Sequence, residues 1–378
     1  MEDTKEMDVP QVANIPKKQQ VIAVLSSLSN CNQNSYEISE TALQEKATSR
    51  ITTALKDSTL TDFIGKWELV WGPCLKNSVV SDKKNNPKHV GQYVTDNTMY
   101  VVKSQDPEDP TKTLYVVAVA GTNAISDFGW VDEDAKVGVM VDWNGVPKAK
   151  ISKGSSDGLG ILLKMKDNKN DLLQFFSTLN LNENVEIATC GHSLGGALSP
   201  LLALKLIEMK EINTINNLTV SCYPSAGPTS GNAALARFAE KKLANNYHSV
   251  INNYDIVPHA WEVAMLDKIP TIYNSDAYGR LALTGKSLDL LRFKESQVKL
   301  ILANYTRIYG RTTHEYTFDG KPKGASEAPM SLNISALSEG NDHFFCQASY
   351  QHTTVYNQSN ALDFPKEVTL EIQKYIQP

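Results

Sequence analysis

The chain has 378 residues, 41% of them apolar and 21% charged, with a formal net charge of -5. That length buries a large core, and the composition excludes collagen-like, low-complexity and wholly disordered chains. The acidic balance gives no long-range attraction for a polyanion, and no block of Lys and Arg is interleaved with aromatics, so nucleic acid is not an expected partner.

Residues 1–18 carry Pro10, Pro16 and many charges, and read as a mobile N-terminal tail. Their acidic, polar opening lacks the basic start and the run of about 7–15 apolar residues of a secretory signal, so no cleavable export signal is expected. The most apolar runs, such as Leu114 to Ala120, fall far short of the ~18–20 residues that cross a bilayer, and no transmembrane segment is expected. Cys31, Cys74, Cys190, Cys222 and Cys346 are scattered, odd in number and free of any Cys-x-x-Cys pair. They suggest neither a metal site nor a disulfide framework and lean towards a reducing compartment. The expected location is the cytoplasm, or outside it by export without a cleavable N-terminal signal. Four Asn-x-Ser/Thr sites, at Asn217, Asn304, Asn333 and Asn357, are then chance occurrences.

Residues 19–378 read as a single domain. Val21 to Leu28 opens an apolar pattern which, with Ile38, Leu43, Ile51 and Leu55, predicts two amphipathic helices over 19–57. β-Branched and aromatic runs at 97–104 and 113–121 flank Asp106-Pro-Glu-Asp-Pro110, which predicts a hairpin feeding a buried strand. Val185 to Cys190 is a short apolar strand, followed by a helix from Leu194 to about Lys210. Leu218 to Tyr223, then Asn232 to about Leu243, then Val250 to Tyr254 repeat strand, helix and strand, a parallel-sheet rhythm with helices on its faces. Residues from Trp261 to about Tyr309 read as extra helices, a cap insertion at about 261–309.

Gly191-His192-Ser193-Leu194-Gly195 sits directly between the strand ending at Cys190 and the helix starting at Leu194. This is the pattern of a nucleophile elbow. Small residues are needed on both sides because the serine takes a strained conformation at a tight strand-to-helix turn. The same turn aims the positive end of a helix at any oxyanion formed there.

A serine hydroxyl needs a base, and the base an orienting carboxyl group; with this elbow both follow the serine in the chain. Asp255, in Asn252-Asn-Tyr-Asp255 at the end of a predicted strand, is the candidate acid. Four histidines come after it. His259 is too close to the acid for a separate loop to bring its ring between Asp255 and Ser193, and His314 lies in a strand-like run that suits a structural histidine. Position alone leaves His343 and His352 as candidate bases, with His352 the better placed. The backbone N–H of Leu194 and that of Thr122, just after the buried strand, are the candidate oxyanion donors.

Together these residues resemble the lipase class 3 family, the fungal-type triacylglycerol lipases and their bacterial and plant relatives. The resemblance rests on Ala118-Val-Ala-Gly-Thr122 with Asp127, Gly191-His-Ser-Leu-Gly-Gly-Ala197, Ala226-Gly-Pro228 with Gly231 and Asn232, Phe238 with Ala239, and Asn253-Tyr-Asp255 with Val257 and Pro258. It covers about residues 90–360. It implies an α/β-hydrolase fold, a mostly parallel central sheet flanked by helices with a helical cap or lid insertion. It also implies Ser193 as nucleophile, Asp255 as acid, His352 as base, and Thr122 with Leu194 as oxyanion donors. Gly191, His192 and Gly195 would complete the elbow.

The implied activity is carboxylic ester hydrolysis of an acylglycerol or related lipid ester, with no cofactor and with transient contact at a lipid surface. A phospholipase A1, an acyltransferase or a catalytically silent interaction protein would carry the same pattern. Ala120 stands where the family commonly has Arg, a departure that bears on the support of the oxyanion loop rather than on its backbone donor. In related lipases a lid helix follows the oxyanion residue, which makes Ile125, Phe128 and Trp130 candidate lid residues; a surface helix packing its Phe and Trp into the core fits that stretch equally.

Overall fold

The computed structural model describes residues 15–81, 88–122, 136–168, 170–179, 184–213, 218–308, 315–322, 341–357, 362 and 364–376. Helices α1 (Lys17–Leu28), α2 (Glu40–Ala54) and α3 (Ser58–Ile64) come first. Strands β1 (Glu68–Val79), β2 (Tyr93–Gln105) and β3 (Thr113–Val119) follow, then helices α4 (Lys153–Leu162) and α5 (Leu172–Thr178). Strand β4 (Val185–His192), helix α6 (Leu194–Ile212), strand β5 (Leu218–Ser225), helix α7 (Ala233–Leu243) and strand β6 (Ser249–Asn252) alternate through the middle of the chain. Helices α8 (Val263–Leu266) and α9 (Gly285–Leu300) precede strand β7 (Glu315–Phe318), and α10 (Asp342–His352), α11 (Thr354–Asn357) and α12 (Lys366–Ile376) end the chain.

These seven strands form the main sheet, in which spatial order follows chain order. β1, β2 and β3 pair antiparallel, and each later neighbour pairs parallel. Parallel neighbours need crossovers, and the helices between them supply these. The fold is therefore the mostly parallel α/β sheet, flanked by helices, of the α/β-hydrolases.

Both faces of the sheet are buried, so strand β3 reads as a continuous apolar run rather than an alternation. Its Tyr115, Val117 and Val119 join a layer with Leu162, Phe176, Leu198, Leu202 and Leu235 from α4 to α7. Its Leu114, Val116 and Ala118 join the opposite layer with Val21, Leu25, Ile51 and Leu60 from α1 to α3, and with Val355, Val368 and Ile372 from the C-terminal helices. The N-terminal helices are thus one of the two layers covering the sheet.

One expected boundary shifts, and two further elements join those expected. The tail expected over 1–18 runs too far, because Ile15 and Lys18 are buried and α1 starts at Lys17. The two helices expected over 19–57 are α1 and α2, and a third, α3, follows at once, started by the Asp57 side chain accepting from the Leu60 N–H. The hairpin of 97–104 and 113–121 is extended by β1, whose irregular pairing with β2 hides the alternation that marks a strand.

The stretch between β6 and β7, where extra helices are expected at about 261–309, holds α8 and α9 and is described as far as 308. Its Leu266, Ile269, Tyr273, Tyr278 and Leu283 share an apolar cluster with Phe344 and Ala348 of α10. Tyr273 donates to the Tyr254 carbonyl at 2.7 Å and Tyr278 to the Gly320 carbonyl at 2.6 Å. Among the described residues, no helix is long and apolar enough to cross a membrane.

Helix α1 is tied to the sheet by charge as well as by packing. Lys18 Nζ donates to Asp106 Oδ2 at 2.6 Å and to Glu186 Oε2 at 2.7 Å, with all three side chains at most 10% exposed. The Ser221 hydroxyl meets the other Glu186 oxygen at 2.6 Å. Burial opposes the Lys18 charge, but Glu186 and Asp106 outweigh it and raise the Lys18 pKa. Replacing Lys18 with Met would leave two buried carboxyl groups without their cation. Lys18→Met is therefore expected to lower unfolding free energy by about 3–5 kcal/mol in urea titrations; a loss below about 1 kcal/mol, the range of an exposed pair, would contradict this account.

Candidate active site

Strand β4 ends at His192 and helix α6 begins at Leu194, which leaves Ser193 as the whole turn. Its φ of 60° and ψ of -125° lie in a region that costs a residue with a side chain about 1–3 kcal/mol. The turn is held by the Ser193 N–H, which donates to the Ser225 carbonyl at 3.1 Å. It closes only because its neighbours are glycines. A Cβ on Gly191 would lie 2.3 Å from the Gly195 carbonyl, and one on Gly195 would lie 2.3 Å from the Val119 carbonyl oxygen. The hydroxyl of Ser193 thus stands at the N-terminus of α6, where the helix dipole is positive.

Asp255 lies on the loop after β6, and His352 is the last residue of α10. His352 Nδ1 is 2.8 Å from Asp255 Oδ2, and His352 Nε2 is 2.8 Å from Ser193 Oγ. A carboxyl partner on Nδ1 makes that nitrogen the donor and turns the Nε2 lone pair towards the serine. Asp255 has no exposed surface, and two further donors reach it from the protein. The Val257 N–H donates to Oδ1 at 3.0 Å and the Tyr356 hydroxyl to Oδ2 at 3.0 Å. Tyr356 Oη in turn accepts the Asn252 N–H at 2.9 Å. The Asn252 amide donates to the Gln351 carbonyl oxygen at 3.0 Å and to Gln351 Oε1 at 2.7 Å, which binds the end of β6 to the residue before His352.

Of the two histidines that position left open, His352 reaches Ser193, while His343 is exposed at the other end of α10. His259 donates from Nδ1 to the Asp255 carbonyl at 2.8 Å and so braces the loop rather than the carboxyl group. His314 lies outside the described residues, as do the lid candidates Ile125, Phe128 and Trp130. Gly121 and Thr122 follow β3, whose Val119 pairs with Gly191, and this parallel register sets them beside the elbow. Leu194 is the first residue of α6. Among the described residues, no group of three or more His, Cys, Asp or Glu is arranged to hold a metal ion.

Tyr356, Asn252 and Gln351 are members of this network that sequence reasoning missed. Tyr356 lies on α11, four residues past His352 at the end of α10, and the break between the two helices leaves no helical spacing that would have marked it. His192 belongs to the site in a different way. Its ring centroid lies 4.7 Å from that of His352 and 5.1 Å from that of Tyr356, and its Nε2 is buried with no hydrogen-bond partner among the described residues. Burial, reinforced by His352, pushes its pKa down to about 3.

Two outcomes are expected from this arrangement. Tyr356→Phe removes a donor from Asp255 and an acceptor from the Asn252 N–H, and should lower stability by about 1.5–3 kcal/mol in denaturant titrations; an unchanged midpoint would deny the hydroxyl its structural role. His192 takes up its proton near pH 6.5 when unfolded and near pH 3 when folded, so its contribution is present above 6.5 and is lost as pH falls from 6.5 towards 3. Denaturation midpoints of His192→Asn should fall less steeply over that window than those of the parent chain.

Residues 116–264 match the family model described as lipase (class 3). A lipase from Rhizomucor miehei is 30% identical over 152 residues, 40% of this chain, and the match spans 38% of that enzyme's length. The crystal structure of M37 lipase superposes with a TM-score of 0.70 at 27% identity, over 95% of this chain and 98% of that one. Residues 116–264, which hold the serine elbow and the buried aspartate, are the stretch over which the chain is similar to the class 3 lipases.

Proposed function

We propose that the protein is a carboxylic ester hydrolase of the lipase type, which cleaves acylglycerols or related lipid esters through an acyl-enzyme on Ser193. The observation that carries this reading is the unbroken hydrogen-bond chain from Asp255 through His352 to Ser193, with the serine at a strained turn. Likeness to M37 lipase along most of the chain and to the Rhizomucor miehei lipase through the central stretch supports it.

In the proposed reaction His352 Nε2 takes the Ser193 proton as Oγ attacks the ester carbonyl. The backbone N–H groups of Leu194 and Thr122 hold the resulting oxyanion, aided by the positive end of α6. Asp255 keeps His352 in the tautomer that accepts this proton and stabilises the imidazolium that forms. His352 then gives the proton to the departing alcohol, and water, activated by the same ring, releases the acid. His192, neutral well below pH 6.5, packs beside His352 without competing for the proton.

The test is hydrolysis of p-nitrophenyl esters from acetate to palmitate, in solution and in emulsion. Ser193→Ala and His352→Ala should each lose on the order of 10³-fold or more in kcat with the fold intact, while His343→Ala should keep wild-type rates. The chain-length profile separates a lipase from a short-chain esterase. Wild-type protein silent on every ester, emulsions included, would overturn the reading.

A further inference from the structure

The turn that follows α1 has a polar rim aimed at the end of β3. Asn30 Oδ1 accepts the Gly121 N–H at 2.9 Å. Gln33 Nε2 donates both to Asn30 Oδ1, at 2.8 Å, and to the Thr122 carbonyl oxygen, at 3.2 Å. Both of these partners are acceptor oxygens, which fixes the Gln33 amide with its nitrogen inward. Asn30 and Gln33 are half-buried, and the turn between them is itself anchored. Its Asn32 amide donates to the Leu43 carbonyl at 2.9 Å and to Thr95 at 3.3 Å, and Arg50 donates to the Cys31 carbonyl.

These bonds bracket one peptide unit. The Thr122 N–H belongs to the amide joining Gly121 to Thr122. The amide before it is held through the Gly121 N–H, and the amide after it through the Thr122 carbonyl. With both neighbours pinned, rotation of the middle amide must strain one bond or the other. The bracketed segment is also the one against the serine: a Cβ on Gly121 would lie 2.9 Å from the His192 carbonyl oxygen and 3.3 Å from Ser193 Cβ. Ala120 has no polar side chain to do this work; its N–H is tied to the Thr98 carbonyl at 2.9 Å.

We infer that Asn30 and Gln33 are positioning residues that hold the Thr122 N–H in place to receive the oxyanion, which makes the N-terminal helical layer part of the reaction machinery. This inference rests on the ester-hydrolase reading and deepens it. Pre-aimed donors act because they need not reorient as charge develops. Loss of the bracket should therefore tell on the transition state and leave substrate binding alone.

The experiment compares wild type, Asn30→Ala, Gln33→Met and the double variant on p-nitrophenyl butyrate, with butylboronic acid as inhibitor and thermal melting as the check on folding. The boronic acid becomes tetrahedral and anionic on a serine, so its affinity reports the oxyanion site. Each single variant should lose about 10-fold in kcat, less than the ~10²–10³ of a donor removed outright, with KM within about two-fold of wild type. The boronate inhibition constant should rise in step with the fall in kcat/KM, and the pH profile should keep its midpoint because the triad is untouched. The double variant should lose less than the product of the singles, since the two side chains form one network.

Folded variants with kcat within about two-fold of wild type, or a lower kcat with unchanged boronate affinity, would overturn the inference while the hydrolase reading stands. Silent wild type would sink both. If Asn30→Ala unfolds, Gln33→Met decides the matter alone, because it keeps the side-chain bulk and the bond from Asn30 to Gly121.

Discussion

A carboxyl group with no exposed surface has to be met by donors, and the site of this protein is arranged around that requirement. Asp255 receives three: the Val257 N–H from its own loop, and His352 and Tyr356 from helices about a hundred residues further on. The C-terminal helices are thereby drawn back over the middle of the sheet, which is what brings an imidazole to Ser193. Asn252 adds a second tie through Gln351. Oδ2 keeps one donor if either His352 or Tyr356 is lost, but loss of the Tyr356 hydroxyl also leaves the buried Asn252 N–H unmet.

The sheet supplies the other half of the geometry. Because β3 and β4 run parallel in register, the ends of both strands come out at the same edge, and the elbow and the Gly121-Thr122 segment lie side by side. Each is then held from a different layer: the elbow by glycine contacts within the sheet and by α6, the segment by the turn after α1. The helices between β6 and β7 are joined to α10 by a common apolar cluster. His352 and those helices therefore share one packed body.

Much of this was legible in the residues. The Gly-x-Ser-x-Gly pattern between a strand and a helix marked the elbow, because only glycines at those two places let the backbones approach so closely. Apolar runs of strand length, alternating with helical ones, marked the parallel half of the sheet. What escaped has physical reasons. Strand β1 is bulged and so lacks a clean period of two. Asn30, Gln33 and Asn252 act through side-chain amides on backbone groups far away in sequence, and nothing local distinguishes such an amide from one in water. Position alone left His343 and His352 open; only the packing of α10 separates an exposed ring from one against the serine.

The ion pair network of α1 bears on the order in which the chain is made. Lys18 leaves the ribosome well before its partners, which come 88 and 168 residues later, at Asp106 and Glu186. Until then the apolar face of α1, with Val21, Ile22, Leu25 and Leu28, has no sheet to cover. His352 trails Ser193 by 159 residues. Closing such loops costs chain entropy before any contact rewards it. A nascent chain therefore carries a finished elbow long before it carries the residues that complete Asp255, and the site comes together only once His352 and Tyr356 have been synthesised.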